Sequence, residues 1–303
     1  MATITNTERY YELVSKGTEL ERLGTGFTFT EGPIWHKEGK YLLFSDMPGD
    51  VRRRWDADGV HEVMRPSNKG NGMTFEVGGG LIVCEHATSS VVRQSPDGTG
   101  AKREVIASHF GDKELNSPND VVVARDGSIY FSDPTYGRMP GFGVEREQDL
   151  DFQGVYRVQP TGENVQLLVD DFKQPNGLCF SPDEKILYVN DSERALIEAF
   201  EMKPDGTFGS RSVFFDHIGS GDIDEGIPDG MKCDAEGNIY VTGPGGIWVI
   251  SPKAELLGEI AVPENVGNLN FGGDDWKALF VCASTSLYRI NLAVSGNRLP
   301  YMV

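Results

Sequence analysis

Residues 175–191 read PNGLCFSPDEKILYVND, and versions of this segment recur along the whole chain. Each version opens on a polar residue, which glycine usually follows, and continues into an apolar stretch. Self-similarity of this kind is typical of repeat architectures. Six openings share the pattern: Glu31-Gly32-Pro33, Asn71-Gly72-Met73, Asn119-Asp120-Val121, Asn176-Gly177-Leu178, Asp229-Gly230-Met231 and, more weakly, Asn268-Leu269-Asn270.

The second half of each unit is a tight turn followed by another apolar stretch. The turn glycine is the eighth residue after the opening residue in the first, third and fifth units, where the glycines are Gly39, Gly127 and Gly237. The interval between openings varies: it is 40 residues after Glu31 and 57 residues after Asn119. A constant interval inside units of variable spacing indicates one supersecondary structure joined by loops of different length.

The first two units each contain four strand patterns separated by turn residues. Four antiparallel strands per unit, repeated radially, describe a propeller blade. We therefore predict an all-β, six-bladed β-propeller as a single domain over residues 20–303, preceded by an arm or short helix over residues 1–19. The sixth unit lacks a fourth strand pattern, and the spare pattern at residues 20–24 is expected to complete it. This N-terminal strand would close the ring and remove two open sheet edges.

The composition argues against several classes of partner. The formal net charge of -18 argues against binding to nucleic acid or to an anionic membrane, because either would need a basic surface. The 4 cysteines fall in apolar strand patterns without a C-x-x-C pair, so we expect buried, reduced thiols. The first residues lack the apolar segment of a signal peptide, which predicts a cytoplasmic protein if the chain is complete. Because a closed ring has no edge that needs a partner, we expect a monomer.

Blade geometry places two sets of polar residues at one mouth of the central channel. The opening residues lie at the start of the innermost strands, and a second set lies at the turns between the second and third strands: Asp46, His86, Asp133 and Asp191. The longest insertion, residues 134–153, belongs to the same face, where binding loops are common. Its Tyr136, Arg138 and Phe142 either form a roof over a pocket or pack on the blade beneath.

A ring of carboxylate and amide oxygens suits a hard divalent cation. Ca²⁺ fits best because it accepts six to eight oxygen ligands in a tolerant geometry. Zn²⁺ usually binds His or Cys, and neither residue occupies an opening position. An isolated Asn-Gly pair is more often a turn than a ligand, but recurrence at one structural position favours one bound divalent metal. Zn²⁺, Mg²⁺ and Mn²⁺ remain alternatives.

Five motifs in order resemble the family of gluconolactonase, regucalcin and luciferin-regenerating enzyme, and most closely its bacterial gluconolactonase-like branch. The resemblance runs from about residue 22 to residue 292. The motifs are Glu31-Gly32-Pro33 with Trp35, Ser117-Pro118-Asn119-Asp120, the segment 126–134 (DGSIYFSDP), Pro175-Asn176-Gly177 and Pro228-Asp229-Gly230-Met231. The resemblance implies a propeller that holds one catalytic metal ion in the channel.

The family pattern also implies roles for individual residues. Glu31, Asn176 and Asp229 match its metal ligands, and Asn119 matches a position that contacts either metal or substrate. Asp229 matches the proposed acid/base residue. His86 is either a proton shuttle or a structural histidine with both nitrogens hydrogen-bonded, and Asn71 is a candidate substrate contact.

Three functions fit these features. The first is hydrolysis of a sugar lactone to its hydroxy acid, with metal polarisation of the carbonyl and Asp229 as base for the attacking water. The second is hydrolysis of an organophosphate or aryl ester, as in the related diisopropylfluorophosphatase. The third is a non-catalytic calcium-binding scaffold. Polar side chains that would contact sugar hydroxyls favour the first: Asp133, Tyr136, Arg138, Asp191 and His86.

Overall fold

The computed structural model describes residues 4–299 and residue 302. Helix α1 (Glu8–Leu13) precedes the first strand, β1 (Glu21–Thr25). The following strands form the first three antiparallel sheets, or blades. Blade 1 contains β2 (Thr30–His36), β3 (Tyr41–Asp46), β4 (Val51–Asp56) and β5 (Gly59–Met64), and blade 2 contains β6 (Gly70–Phe75), β7 (Leu81–Glu85), β8 (Ser90–Gln94) and β9 (Arg103–Ala107). After a hairpin of β10 (His109–Phe110) and β11 (Lys113–Glu114), blade 3 contains β12 (Val121–Val123), β13 (Ile129–Asp133), β14 (Gln153–Val158) and β15 (Gln166–Phe172).

The second half of the chain continues the same pattern, and the last blade takes its fourth strand from the N-terminus. Blade 4 contains β16 (Pro175–Phe180), β17 (Ile186–Asp191), β18 (Leu196–Met202) and β19 (Phe208–Phe215). Blade 5 contains β20 (Met231–Cys233), β21 (Ile239–Gly243), β22 (Gly246–Ile250) and β23 (Leu256–Ala261), and blade 6 contains β24 (Val266–Gly272), β25 (Ala278–Ala283), β26 (Ser286–Asn291) and β1. The predicted all-β, six-bladed propeller is confirmed. No helix in the described residues is long and apolar enough to cross a membrane.

Apolar side chains pack between neighbouring blades. Trp35 of blade 1, for example, stacks on Phe280 of blade 6 with ring centroids 5.4 Å apart. The four cysteines are free and buried in these layers, as predicted. The apolar core therefore runs around the ring, between the blades.

The innermost strands begin with a distortion that depends on glycine. Register shifts interrupt the strand pairing at the polar openings of blades 1, 2, 4 and 6, and bulges of this kind re-aim side chains. The backbone N–H of Gly72 donates to the carbonyl of Asn119 in the next blade at 2.9 Å, and Gly177 donates to Asp229 at 2.9 Å. A Cβ added to Gly72 or Gly177 would lie 2.6 or 2.2 Å from those oxygens. At these two contacts the close approach of neighbouring blades therefore requires glycine after the channel residue.

The ring closes through β1, which is the outermost strand of blade 6. It pairs antiparallel with β26, from Glu21 opposite Arg289 to Thr25 opposite Ser286. The two hydroxyl oxygens of Thr25 and Ser286 are 2.9 Å apart, and Arg289 forms a 2.6 Å ion pair with Glu21. This closure was predicted from the missing strand of the sixth unit.

Truncation tests the contribution of β1 to stability. Removal of residues 1–26 leaves β26 with an open edge, whereas removal of residues 1–18 deletes α1 but keeps β1. We expect the longer truncation to melt on the order of 10 °C below the shorter one and to self-associate through the open edge. Calorimetry and size-exclusion chromatography measure both effects. Equal melting temperatures would contradict a role for β1 in closure.

Candidate functional site

A cavity of about 330 Å³ opens at the channel mouth where the innermost strands begin. Seven of the predicted site residues line it, and they come from five different blades. Six of them form what we call the polar floor: Glu31, Asn71, His86, Asn119, Asn176 and Asp229. The seventh, Tyr136, lies in a 3-10 turn (Tyr136–Arg138) of the roof loop, which we define as residues 134–152.

Glu31 is a buried carboxylate with 2% of its surface exposed. Its Oε2 accepts hydrogen bonds from the backbone N–H of Gly32 at 2.7 Å and from Nδ2 of Asn268 at 3.0 Å. Burial nevertheless raises the pKa of Glu31 to about 7. The side chain is held in one position, and a bound cation would favour its ionised form.

Asp229, two residues before β20, has a backbone fixed by three hydrogen bonds. Its N–H donates to Oγ1 of Thr242 at 2.7 Å, and its carbonyl accepts from Nδ2 of Asn190 at 2.7 Å and from Gly177 at 2.9 Å. Desolvation raises the pKa of Asp229 well above its usual range, and the negative charge of Glu31 raises it further. Each of the two carboxylates therefore opposes ionisation of the other.

Two asparagines of the floor have amide oxygens without a hydrogen-bond partner in the described part of the chain: Asn71 and Asn176. Nδ2 of Asn176 donates to Oγ of Ser192 at 3.1 Å, and Nδ2 of Asn71 donates to Nε2 of His86 at 3.1 Å. These contacts fix each amide and leave its oxygen unused. A buried polar atom without a partner costs free energy, so both oxygens are suited to a ligand.

His86 hydrogen-bonds both to Asn71, another residue of the polar floor, and to the roof loop. Its Nδ1 donates to the backbone carbonyl of Phe142 at 3.0 Å, while its Nε2 accepts from Asn71. Burial lowers the pKa of His86 to about 4, so the ring is neutral at physiological pH. A neutral ring with both nitrogens occupied favours a positioning role over the proton-shuttle hypothesis.

An ion pair that the sequence analysis missed lies beside the two carboxylates. Nζ of Lys232 is 3.2 Å from Oδ2 of Asp120, which is 2% exposed. The positive charge of Lys232 lowers the pKa values of Glu31 and Asp229, although burial outweighs this effect. Lys232 therefore offsets part of the negative charge of the channel.

Two predicted substrate contacts, Asp133 and Arg138, are not among the described residues that line the cavity. The carboxylate of Asp133 accepts from the backbone N–H groups of Asn116 at 2.8 Å and Ser117 at 2.7 Å. Nε of Arg138 donates to the carbonyl of Asn116 at 2.9 Å. Both side chains hold the loop that precedes β12, and this explains why they do not reach the cavity.

The equivalent aspartates of two other blades bind backbone in the same way. Asp46 accepts from the N–H of Thr28 at 2.8 Å, and Asp191 accepts from the N–H of Lys173 at 2.8 Å. Three carboxylates, each at the end of the second strand of a blade, thus hold the loop before the innermost strand of that blade: Asp46, Asp133 and Asp191. We expected these carboxylates to face the channel, but they bind backbone N–H groups and have a structural role.

Six of the apolar side chains that line the cavity form what we call the apolar wall: Phe29, Met47, Met139, Phe142, Ile223 and Ile227. The sequence analysis identified only Phe142 and the roof loop. Ile223 and Ile227 belong to a second loop, residues 216–230, between β19 and β20. The signal for it in the sequence was a long interval without a strand pattern before Asp229.

The oxygen donors of the floor fit a hard divalent cation. The described residues contain no group of three or more His, Cys, Asp or Glu side chains placed to hold a metal ion. A cation would therefore bind the carboxylates of Glu31 and Asp229 together with amide oxygens, as Ca²⁺ does in proteins. The same donors suit Zn²⁺ less well, because it prefers His and Cys.

Comparison with known proteins identifies one family. The family model described as SMP-30/Gluconolactonase/LRE-like region matches residues 29–285. A gluconolactonase from Zymomonas mobilis is 31% identical over 94% of this chain and 84% of the relative. A pentonolactonase from Haloferax volcanii is 26% identical over 88% of this chain and 91% of the relative. A solved gluconolactonase structure from Xanthomonas campestris has 30% identity and a TM-score of 0.86, with 96% of this chain and 95% of that chain covered.

The raised pKa of Glu31 predicts how stability depends on pH when metal is removed by a chelator. Burial moves this pKa from 4.5 to about 7, so the folded state binds more protons than the unfolded state between these values. The stability that protonated Glu31 contributes is complete below about pH 4.5 and is lost as the pH rises through about 7. We therefore expect Glu31→Gln to gain stability relative to wild type between about pH 5 and pH 8, by at most about 3 kcal/mol.

Urea unfolding at several pH values measures this difference. The control is Glu255→Gln, which replaces an exposed carboxylate. A difference between Glu31→Gln and wild type that stays constant with pH would contradict the raised pKa.

Proposed function

This chain belongs to the SMP-30/gluconolactonase/LRE-like family and is a lactonase, and we propose that it hydrolyses a sugar lactone with the help of one divalent metal ion. One observation carries the proposal. Two carboxylates with raised pKa values share a cavity with two amide oxygens that have no hydrogen-bond partner among the described residues. The gluconolactonase and pentonolactonase relatives support lactones of sugar acids as the substrate class.

Glu31, Asp229 and Asn176 are the proposed metal ligands, and Asn119 binds either the metal or the substrate. We favour Ca²⁺ because all of these donors are oxygen atoms, with Mg²⁺, Mn²⁺ and Zn²⁺ as alternatives for a replacement experiment. A bound divalent ion supplies polarisation of the lactone carbonyl and stabilises the negative charge that develops on its oxygen.

Asp229 is the proposed general base. Its carboxylate takes a proton from water as the water oxygen bonds to the carbonyl carbon of the lactone. The bond from this carbon to the ring oxygen then breaks, and Asp229 returns the proton to the ring oxygen, which leaves as a hydroxyl group. One water molecule is consumed and one hydroxy acid is formed. Without metal the pKa of Asp229 is raised by burial, and a bound cation would lower it and favour the carboxylate form that accepts the proton.

Asn71, Asn119 and Tyr136 are the proposed contacts that orient the lactone. The free Oδ1 of Asn71 accepts a hydrogen bond from a substrate hydroxyl, and His86 holds the amide in the required orientation. His86 is therefore a positioning residue, which acts through Asn71.

The apolar wall favours a second candidate, hydrolysis of an aryl ester or an organophosphate. Phe29 and Phe142 pack edge to face with ring centroids 5.8 Å apart, and an aryl leaving group would pack well beside such a pair. A scaffold without catalysis is the third candidate, for which calcium would raise the melting temperature without turnover of any of these substrates.

Substitution of the base tests the first candidate. We expect metal-stripped protein to hydrolyse aldonolactones only after Ca²⁺, Mg²⁺, Mn²⁺ or Zn²⁺ is restored, and Asp229→Asn to lower kcat by about 100-fold or more. A pH-stat assay corrected for spontaneous hydrolysis measures kcat, and aryl esters are assayed in parallel. Asp216→Asn is the control, because its side chain is 61% exposed. Full activity in a chelator or in a folded Asp229→Asn variant would overturn the mechanism.

Substitution of His86 tests the positioning role. Because its pKa lies near 4, His86 carries no charge change between about pH 5 and pH 8. We expect His86→Gln to raise KM for a sugar lactone and to leave the shape of the pH profile of kcat/KM unchanged in this range. His86→Ala and Asn71→Ala should also have non-additive effects, because one residue acts through the other. Loss of a limb of the pH profile in His86→Gln would instead support a proton shuttle.

A further inference from the structure

Hydrolysis of a fully hydroxylated lactone leaves the apolar wall without a role. Sugar hydroxyls need polar partners, but Asp133, Arg138 and Asp191 use their side chains to hold loops. Outside the floor, the described lining of the cavity contains four polar side chains: Tyr136, Asp224, Asn265 and Ser284. Nδ2 of Asn265 and Oγ of Ser284 donate to backbone carbonyls, and the six side chains of the apolar wall offer carbon and sulfur atoms.

Two side chains of the wall stay exposed in the folded protein. Met139 is 47% exposed and Ile223 is 53% exposed, which places both among the most exposed large apolar residues of the described chain. They belong to different loops, the roof loop and the loop of residues 216–230, yet they line one cavity. Single exposed apolar residues are common, but two that converge from separate loops on a cavity indicate a surface that a ligand covers.

The other side chains of the wall are less exposed. Ile227 and Met47 are buried at 7% and 2% exposure, the N–H of Met47 donates to the carbonyl of Phe29 at 3.0 Å, and Phe29 packs on Phe142. The volume of about 330 Å³ is within the usual range of small-molecule sites, about 300–1,000 Å³. One bound molecule can therefore contact the floor and the wall together.

We propose that the apolar wall is a subsite for an alkyl or aryl substituent of the lactone. This inference rests on the proposed lactonase activity and adds a preference for substrates that carry an apolar group beyond the ring. The lactone carbonyl lies over the polar floor, and the substituent packs against Met139 and Ile223. The substituent removes its own apolar surface and that of the two side chains from water.

A homologous series of δ-lactones tests the subsite. The series carries an unbranched alkyl chain of increasing length on the ring carbon bonded to the ring oxygen, and glucono-1,5-lactone is the reference, with calcium present. We expect kcat/KM to rise by up to about fourfold for each buried methylene and by at least about tenfold over the series. A flat or falling series, with glucono-1,5-lactone still hydrolysed, overturns the subsite and leaves the proposed function standing. Failure to hydrolyse any lactone overturns the proposed function itself.

Substitutions in the apolar wall test whether Ile223 and Met139 cause the preference for longer alkyl chains. Ile223→Ser and Met139→Ser should each lower the ratio of kcat/KM for long and short lactones by about fivefold, whereas Ile223→Leu should keep it. Val77→Ser is the matched control, because Val77 is 60% exposed and lies between β6 and β7, away from the cavity. An equal loss in Val77→Ser, or no loss in either serine variant of the wall, would contradict the assignment.

Discussion

Close approach of neighbouring blades at glycine is the constraint on which the site depends. A Cβ on Gly32 would lie 2.0 Å from the carbonyl oxygen of Asn71, and one on Gly177 would lie 2.2 Å from that of Asp229. A larger residue would separate the blades and widen the channel. The same approach lets the backbone of one blade bind the next. It therefore sets the distance between the polar side chains that precede the glycines.

This convergence has an electrostatic cost, because it brings Glu31 and Asp229 into a poorly solvated space. Lys232 reduces that cost but does not cancel it, since both carboxylates keep raised pKa values. The amide oxygens of Asn71 and Asn176, which lack a hydrogen-bond partner in the part of the chain that the structure describes, add a further cost. Groups that destabilise the folded chain in this way are typical of functional sites, where a ligand supplies the missing interactions.

The sequence predicted the fold and the polar floor because both follow from the repeat. An Asn-Gly pair alone indicates a turn, but six openings at one position of a blade place their side chains at one channel mouth. The orientation of individual side chains was harder to predict. Asp133 lies on the correct face, but its carboxylate accepts from the N–H groups of Asn116 and Ser117 and does not face the cavity. The apolar wall was missed because loops carry no repeat. Lys232 was missed because its partner, Asp120, lies in another blade.

The floor and the wall have different origins in the chain. Strand starts supply most of the floor, so its geometry is set by the ring as a whole, whereas two loops supply much of the wall and can change without altering the ring. His86 joins the two parts, because one ring nitrogen binds Asn71 of the floor and the other binds the carbonyl of Phe142 in the roof loop. A shift of the roof loop would therefore reorient the amide of Asn71. Through this residue the loop that contributes to specificity also helps to arrange the polar groups that act on the lactone.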